Sequence, residues 1–275
     1  MIKKLKMRSQ FSNFLRNMSR ELSRGMEYAS INKIHKTAGM IVIGDEILKG
    51  QVTDTNSPLS CQILHDLGVK MKKISVVGDD ITAVSSEVSH FSSSYDYVIT
   101  TGGIGPTHDD ITFEGVAQAF SEPLVNNTEI QALCEKYNHQ CSKIKLSRIP
   151  LSAKLKFYPE LKFPRISVRN VFLFPGIPEF FQKAFLVVAK DSFQCSGRFY
   201  SKSVYLNATE EQILKDLNSL VALCPAVEFG SYPKINDECY KLKITIESSD
   251  EETTNKAYLK LLELVPKQVV VDIKL

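Results

Sequence analysis

Three short apolar segments in the first half of the chain each run into a glycine and then into closely spaced carboxylates. The segments at 40–43, 73–77 and 97–100 lead into Gly44-Asp45-Glu46, Gly78-Asp79-Asp80 and the loop 102–110, and helix-like runs come next. Strands that alternate with helices through short links form a parallel, doubly wound sheet. Because ligands of such sheets bind beyond the C-terminal ends of the strands, the three acidic loops are predicted to lie at the functional edge.

The rest of the chain adds one more strand–turn–helix junction and then changes rhythm. Residues 171–174 form an apolar strand-like run that enters Pro175-Gly176, and Pro178 suits the first turn of a helix. After about residue 200 the pattern has the β-α-β-β-α-β order of a ferredoxin-like domain. We therefore predict an α/β fold, with a doubly wound, mainly parallel sheet in residues 37–200 and a small α+β ferredoxin-like domain in residues 201–275.

Charge is unevenly distributed along the chain. Residues 1–36 carry nine Lys/Arg and two acidic residues, a balance of +7, and the whole chain carries +3, which leaves −4 for residues 37–275. A nucleic-acid-binding body would have a basic face of its own, so the composition argues against a nucleic-acid partner. The first 36 residues are rich in Arg and Ser, and two interpretations stay open, a mitochondrial presequence or a disordered basic extension.

Composition also limits the compartment. No apolar run is long enough to span a bilayer, so no membrane partner is expected. The six cysteines contain no CxxC pair, a pattern that fits a reducing environment. We expect the protein in the cytoplasm or the mitochondrial matrix.

The loop after the third strand has the features of a phosphate site. Gly102, Gly103 and Gly105 allow positive φ angles and a close approach of ligand to backbone, and successive amide groups can bind anionic oxygens. Thr101 and Thr107 flank these glycines and offer further hydrogen bonds. The loop matches neither GxxxxGK[ST] nor GxGxxG. It is therefore predicted as a phosphate-binding loop outside those two motifs.

Carboxylates from two loops are candidate metal ligands. Asp109 and Asp110 follow the glycine loop, and Asp45 and Glu46 follow the first strand. Carboxylates beside bound phosphates are compatible when a cation such as Mg²⁺ or Mn²⁺ lies between them, and that cation can activate water. Two simpler interpretations stay open, namely that one aspartate caps the next helix and that His108 is a solvated loop residue rather than a base or ligand.

Two further sites have alternative interpretations. Asn56 could cap the helix that follows it, together with Asp54, or it could face a ligand. Pro175 and Gly176 could form a rigid wall for a flat ring or base, or a simple turn. Both are retained as candidate nucleotide-binding positions.

Together the motifs resemble the MoaB/Mog molybdopterin-binding domain family, and within it the amino-terminal half of eukaryotic FAD synthase and the bacterial CinA group. The resemblance covers about residues 37–275. It is carried by Asp54-Thr55-Asn56 and by residues 37–50, 101–114, 167–179 and 230–233.

The resemblance implies a divalent-metal-dependent nucleotide pyrophosphatase. In the FAD synthase branch the implied substrate is FAD, split to FMN and AMP with Mg²⁺, Mn²⁺ or Co²⁺, and Asp109 and Asp110 are the implied catalytic residues. Molybdopterin adenylyltransferases usually read Gly-Gly-Thr-Gly followed by Arg-Asp, whereas here Gly-Ile-Gly-Pro leads to Asp109-Asp110. That difference disfavours molybdopterin adenylylation, which stays a further alternative.

The resemblance also bears on partners. FAD synthases carry a further carboxy-terminal domain of the PAPS-reductase type, and no segment up to Leu275 resembles it, so we expect no FAD synthesis by this chain alone. A homo-oligomer is expected by resemblance. A non-catalytic module that binds a flavin or pterin nucleotide, or that regulates a partner FAD synthase, stays open as the alternative function.

Overall fold

The structure is a computed structural model that describes residues 35–136, 143–235 and 239–271. It divides into two units, the first ending at Ser196 and the second beginning at Gly197, four residues before the boundary predicted from the sequence. Both interpretations of the N-terminal extension fall almost wholly on residues outside the described ranges. Within those ranges, no helix combines the length and the apolar character needed to cross a bilayer.

The first unit is an α/β domain. Its strands are β1 (Thr37–Ile43), β2 (Lys70–Val77), β3 (Tyr97–Thr101), β4 (Leu124–Asn126), β5 (Arg148–Pro150), β6 (Lys154–Lys156), β7 (Arg165–Val168) and β8 (Val171–Phe174). Its helices are α1 (Asp45–Leu48), α2 (Asn56–Asp66), α3 (Ile81–Ser94), α4 (Thr112–Ala119), α5 (Thr128–Lys136), α6 (Lys143–Ser147) and α7 (Pro178–Ser192).

The main sheet has the order β2-β1-β3-β8-β7-β6, and β4 pairs with β5 in a separate two-stranded sheet. The pairs β1–β2, β1–β3 and β3–β8 are parallel, whereas β7 and β6 join antiparallel at one edge. The predicted mainly parallel sheet is therefore confirmed. The C-terminal ends of β1, β3 and β8 lie side by side, and this edge carries the candidate site.

Both faces of the main sheet are covered. Residues that alternate along β1 enter two different cores, with Ile41 and Ile43 on one face and Met40 and Val42 on the other. The first core includes apolar residues of α3 and α4, and the second includes residues of α2 and α7. A strand buried on both sides reads as a continuous apolar run, which is why residues 40–43 lack an alternating pattern.

The second unit has the predicted ferredoxin-like order. Its elements are β9 (Tyr200–Leu206), α8 (Glu210–Leu223), β10 (Glu228–Pro233), β11 (Leu242–Ser248), α9 (Glu251–Leu264), a short 3₁₀ turn (Lys267–Val269) and β12 (Val270–Val271). The sheet order is β10-β11-β9-β12 with antiparallel neighbours throughout.

Local signals in the second unit agree with this topology. The side chains of Thr209 and Gln212 form a capping box at the start of α8, and Asp250 caps α9 by accepting from the Thr253 N–H. Both helices pack on one face of the sheet, where Val204 and Ile244 belong to their common core. Among the described residues of this unit, no helix covers the opposite face of the sheet.

Candidate functional site

Gly102 lies where β1, β3 and β8 meet. Its N–H donates to the carbonyl oxygen of Phe174 at 3.2 Å, so the glycine turn continues the pairing of β3 with β8. Its φ is +102°, and a Cβ built there would lie 2.0 Å from the carbonyl oxygen of Ile43. The end of β1 and the glycine loop can approach this closely only because the residue is glycine.

Thr112 ties the glycine turn to the next helix. Its hydroxyl donates to the carbonyl oxygen of Gly102 at 2.8 Å, and its N–H donates to that of Gly103 at 2.9 Å. In the sequence, Thr112 looks like an ordinary polar residue at the start of a helix. The sequence therefore did not indicate that Thr112 contacts the glycine loop. These two bonds fix the start of α4 beside the loop.

The carboxylate of Asp110 turns back into the glycine loop. Its oxygens accept hydrogen bonds from the N–H groups of Gly105 and Thr107, both at 2.7 Å. Helix α4 begins after Ile111 with no side-chain cap, so the interpretation that one of the two aspartates caps this helix is wrong. Asp110 instead organises the loop, and it binds two amide groups that were predicted to bind phosphate.

Asp109 and Asp110 converge on one hydroxyl group. The Oγ1 atom of Thr107 is in hydrogen-bond contact with Oδ1 of Asp109 and lies 2.6 Å from Oδ2 of Asp110. A hydroxyl has one proton and can donate to only one of them, so two negative charges meet here with one donor between them. The Thr107 hydroxyl lowers the pKa of Asp109, which keeps this half-exposed side chain ionised.

Two cationic or ionisable groups surround this pair. The ammonium group of Lys145 on α6 donates to the carbonyl oxygen of Thr107. His108 is exposed, with Nδ1 3.9 Å from the Asp109 carboxylate, which agrees with a solvated loop histidine. Lys145 comes from a segment whose sequence gave no functional signal, and the structure brings it to the loop.

Asp45 connects the loops that follow β1 and β2. Its N–H donates to Oδ2 of Asp79 at 3.1 Å, and the Asp79 N–H donates back to Oδ1 of Asp45 at 3.3 Å. The ammonium group of Lys49 lies 2.9 Å from Asp45 and lowers its pKa. The carboxylate of Glu46 folds back on Gly44, 2.6 Å from where a Cβ would lie. Both predicted ligands therefore have contacts within the chain.

The fit of a divalent cation depends on how many carboxylates come together. Within the described ranges, no group of three or more His, Cys, Asp or Glu side chains is arranged to hold a metal ion. Mg²⁺, however, often takes one or two protein carboxylates and completes its shell with water and substrate phosphates. The Asp109–Asp110 pair has the donor chemistry for that mode of binding, whereas Asp45 is held by Lys49 and Asp79.

Asn56 joins three parts of the site. Its side-chain Nδ2 donates to Oγ1 of Thr101 at 3.0 Å and to the carbonyl oxygen of Gly176 at 2.9 Å. The Thr101 hydroxyl in turn donates to the carbonyl oxygen of Pro175 at 2.9 Å. We call this set the Asn56 latch. Asn56 is only 6% exposed, so its amide holds the end of β3 to the turn after β8.

The cap of α2 differs in detail from the prediction. The helix begins at Asn56, and Oδ1 of Asp54 accepts from the N–H groups of Asn56 and Ser57 at 2.9 and 3.0 Å. The predicted capping role is therefore wrong for Asn56 and right for Asp54. This division of labour frees the Asn56 amide for the latch.

Two exposed apolar side chains stand beside the Pro175-Gly176 turn. Ile177 is 54% exposed and Phe180 is 62% exposed, at the start of α7. Large apolar residues at such exposure border many ligand sites. In the sequence, Ile177 and Phe180 stand on either side of Pro178 and Glu179, a pattern that does not distinguish exposed apolar residues from core residues.

Comparisons with known proteins agree with this architecture. A family described as probable molybdopterin binding domain matches residues 39–194, and one described as FAD synthase, middle domain, matches residues 198–274. A "Probable FAD synthase" of Caenorhabditis elegans is 37% identical over 264 residues, which cover 86% of this chain and 51% of that relative. The chain thus spans about half the length of the FAD synthase relatives that it matches.

Two other relatives match a larger share of their own length. A protein of Archaeoglobus fulgidus is 33% identical over 227 residues, covering 82% of this chain and 96% of that protein. The crystal structure of CinA from Thermoplasma acidophilum, described as having unknown function, is similar with a TM-score of 0.53 and 28% identity. That match covers 57% of this chain and 98% of the CinA chain.

A mainly parallel α/β sheet with a glycine loop and carboxylates at its C-terminal edge, followed by a small antiparallel α+β unit, defines a MoaB/Mog-like protein with a second domain. The chain belongs to the molybdopterin-binding domain family. Its relatives within that family are FAD synthase-like and CinA-like proteins.

Proposed function

We propose that this protein hydrolyses the pyrophosphate bond of a dinucleotide such as FAD, giving FMN and AMP, with Mg²⁺, Mn²⁺ or Co²⁺. The observation that carries the proposal is the convergence of Asp109 and Asp110 on the Thr107 hydroxyl, at the C-terminal edge of the sheet. Two carboxylates that share one hydroxyl favour a cation, and a pyrophosphate ester supplies further oxygen ligands.

The reaction consumes one water molecule. Its oxygen bonds to one phosphorus of the pyrophosphate, the bridging P–O bond breaks, and the bridging oxygen leaves on the other phosphate. A divalent cation held by the carboxylates would neutralise phosphate charge and activate the water. The residues of the chain bind the substrate phosphates, orient them and hold the carboxylates in place.

The two aspartates have different roles in this proposal. Asp109 contacts Thr107 and is 55% exposed, so it is free to meet a cation that arrives with the substrate. Asp110 holds the Gly105 and Thr107 amides and acts mainly by keeping the loop in shape. Asp45 and Glu46 stay proposed as ligands that must exchange their present contacts for the cation.

The turn after β8 supports the choice of a substrate with flat rings. The Asn56 latch fixes Pro175 and Gly176, and the exposed side chains of Ile177 and Phe180 follow directly. An exposed phenyl ring beside a phosphate loop is suited to stack on a base or an isoalloxazine ring. The names of the FAD synthase relatives make FAD the first dinucleotide to test.

The test is to incubate the purified chain with FAD and each of the three cations, and to measure FMN and AMP by chromatography. Asp109→Asn should lower the rate of product formation at least about a hundredfold with only a small change in the melting temperature, because its side chain is half exposed. Asp110→Asn should lower both the rate of product formation and the melting temperature, because the asparagine keeps one oxygen and one of the two loop amides that bind the carboxylate loses its acceptor. Asp66→Asn, an exposed carboxylate on α2, is the matched control. Equal rates in all four proteins would refute the proposal.

A non-catalytic nucleotide-binding module is the second candidate. One observation favours it, namely that the N–H groups of Gly102, Gly105 and Thr107 already have acceptors within the chain. A loop in that state binds phosphate only through other groups or after rearrangement. Saturable FAD binding by calorimetry with no product after hours, under every cation, would support this candidate over hydrolysis.

A further inference from the structure

The face of the second unit's sheet opposite its two helices carries a row of aromatic and cationic side chains, to which the proposed hydrolysis assigns no role. The pairing register places Tyr232 on β10 opposite Lys243 on β11, and Lys243 opposite Tyr205 on β9. All three point away from the core, because their neighbours in sequence, such as Val204 and Ile244, are buried under the helices. We call Tyr232, Lys243 and Tyr205 the tyrosine–lysine row.

Gly230 allows the ring of Tyr232 to lie on the sheet. A Cβ built at Gly230 would lie 2.7 Å from Cε2 of Tyr232 and 2.5 Å from Oγ1 of Thr245. The tyrosine ring therefore covers the glycine rather than extending into solvent, yet the residue is 55% exposed. A ring that lies on a sheet with one face open is the arrangement that stacking platforms use for flat ligands.

The other end of the row is aromatic and cationic. The ring of Tyr205 packs edge-on against Tyr240, with centroids 4.8 Å apart. The ammonium group of Lys243 lies 5.9 Å from the Tyr205 ring, and that of Lys234 lies 4.9 Å from the Tyr240 ring. A lysine ammonium group therefore lies near each of these two tyrosine rings.

Spacing and charge indicate the occupant. Neighbouring strands lie about 4.8 Å apart, so the backbones of Tyr232 and Tyr205 are roughly 10 Å apart, with Lys243 between them in the pairing register. A dinucleotide has the complementary order, a ring, a pyrophosphate and a second ring. On the same face, Glu228 and Glu247 lie opposite each other on β10 and β11, and these carboxylates oppose a long polyanionic strand that would cross the sheet.

We propose that the tyrosine–lysine row is a second nucleotide site, which binds a dinucleotide by stacking its two rings on Tyr232 and Tyr205 and its pyrophosphate on Lys243. This site is separate from the glycine loop and goes beyond the proposed hydrolysis. It holds the class of substrate that the first unit is proposed to cleave. Each stacked ring contributes enough that removing one tyrosine ring should weaken binding about tenfold.

The test measures FAD binding to the full chain in EDTA by calorimetry, so that no divalent cation supports the glycine loop. Tyr232→Ala and Lys243→Ala should each weaken binding about tenfold, whereas Tyr232→Phe should keep it because the ring remains. Gly230→Ala should weaken it as well, because the Cβ displaces the ring. Lys215→Ala, an exposed lysine on α8, is the matched control, and circular dichroism checks that each variant is folded.

Binding measurements with other ligands distinguish a dinucleotide from the other possible occupants of the row. AMP and FMN, with one ring each, should bind at least about tenfold more weakly than FAD. Equal FAD binding by wild type and the row variants would overturn the proposal, as would tighter binding of a single-stranded oligothymidine that is lost in the same variants. Product formation tests the glycine loop independently, so row variants that lose binding while FMN never forms would sink the hydrolysis alone.

Discussion

Replacement of Asn56 by alanine tests how the site is held together. The Asn56 amide donates two hydrogen bonds, to Thr101 and to the carbonyl oxygen of Gly176. Alanine keeps the helical backbone and the cap from Asp54 but removes both donors. The Gly176 carbonyl then loses its partner in a partly buried position, and the end of β3 is no longer tied to the turn after β8.

The magnitude follows from these two bonds. A net hydrogen bond contributes about 1 kcal/mol, and a buried acceptor left without a partner costs about 1–3 kcal/mol. We therefore expect Asn56→Ala to lower the free energy of unfolding by about 2–4 kcal/mol. This is a large fraction of the roughly 5–15 kcal/mol that stabilises a typical domain.

Urea unfolding followed by far-ultraviolet circular dichroism measures this loss, and the midpoints are compared at a common slope. For a slope of roughly 2 kcal/mol per molar urea, the midpoint should fall by about 1–2 M. Gln62→Ala, on the exposed side of the same helix, should shift it little. If the two variants have the same midpoint, Asn56 does not act as a latch and the account of this turn is wrong.

Three further changes have defined outcomes. Gly102→Ala should lower the melting temperature by more than about 5 °C, because its Cβ would lie 2.0 Å from the Ile43 carbonyl oxygen; a change below about 2 °C would contradict the packing described. Lys156 and Tyr158 hydrogen-bond to Asp191 and lower its pKa to about 2. Because this pKa is depressed, the stability it contributes, about 1 kcal/mol for a partly exposed pair, is present above pH 4 and lost as the pH falls towards 2. The stability difference between wild type and Asp191→Asn should therefore shrink in urea titrations as the pH falls from 4 through 2, and a constant difference over that range would refute it. Lys49→Met should raise the pKa of Asp45 towards its ordinary value, because the ammonium group lowers it; an unchanged carboxyl titration by NMR would show otherwise.

The parallel part of the fold follows from the sequence because each of its strands has a local signature. The run 40–43 is apolar throughout and ends in a glycine, as expected for a strand buried on both sides. The antiparallel strands β7 and β6, of which β6 forms the edge of the sheet, have only four and three residues. Such short runs carry little periodicity, and their pairing depends on tertiary contacts that no local pattern encodes.

The sequence indicates which residues to consider for the candidate site, but it does not indicate where their side chains point. An aspartate before a helix indicates a cap, yet Asp110 turns back and accepts from the Gly105 and Thr107 amides, and the helix has no side-chain cap. For Asn56 the sequence left two interpretations open, a cap or a ligand-facing residue, and only the structure shows that Asp54 accepts from the first helix amides while the Asn56 amide joins Thr101 to Gly176. Side-chain direction in loops depends on the backbone path, which residue types alone do not fix.

Residues that reach the loop from distant parts of the chain could not be identified from the sequence for a different reason. Lys145 reaches Thr107 from a helix that lies 38 positions further along the chain. The residue has no motif of its own, and a surface lysine on a short helix is usually solvated. Contacts of this kind arise from the packing of the whole unit and are found only in the folded structure.

One measurement tests the central claim most directly. FAD is incubated with the protein and Mg²⁺, Mn²⁺ or Co²⁺, and FMN and AMP are quantified over time for wild type and Asp109→Asn at equal folded concentration. The account predicts equal amounts of FMN and AMP from wild type, and a rate at least about a hundredfold lower in the variant. Absence of both products from wild type with every cation, or the same rate in the variant, would contradict it.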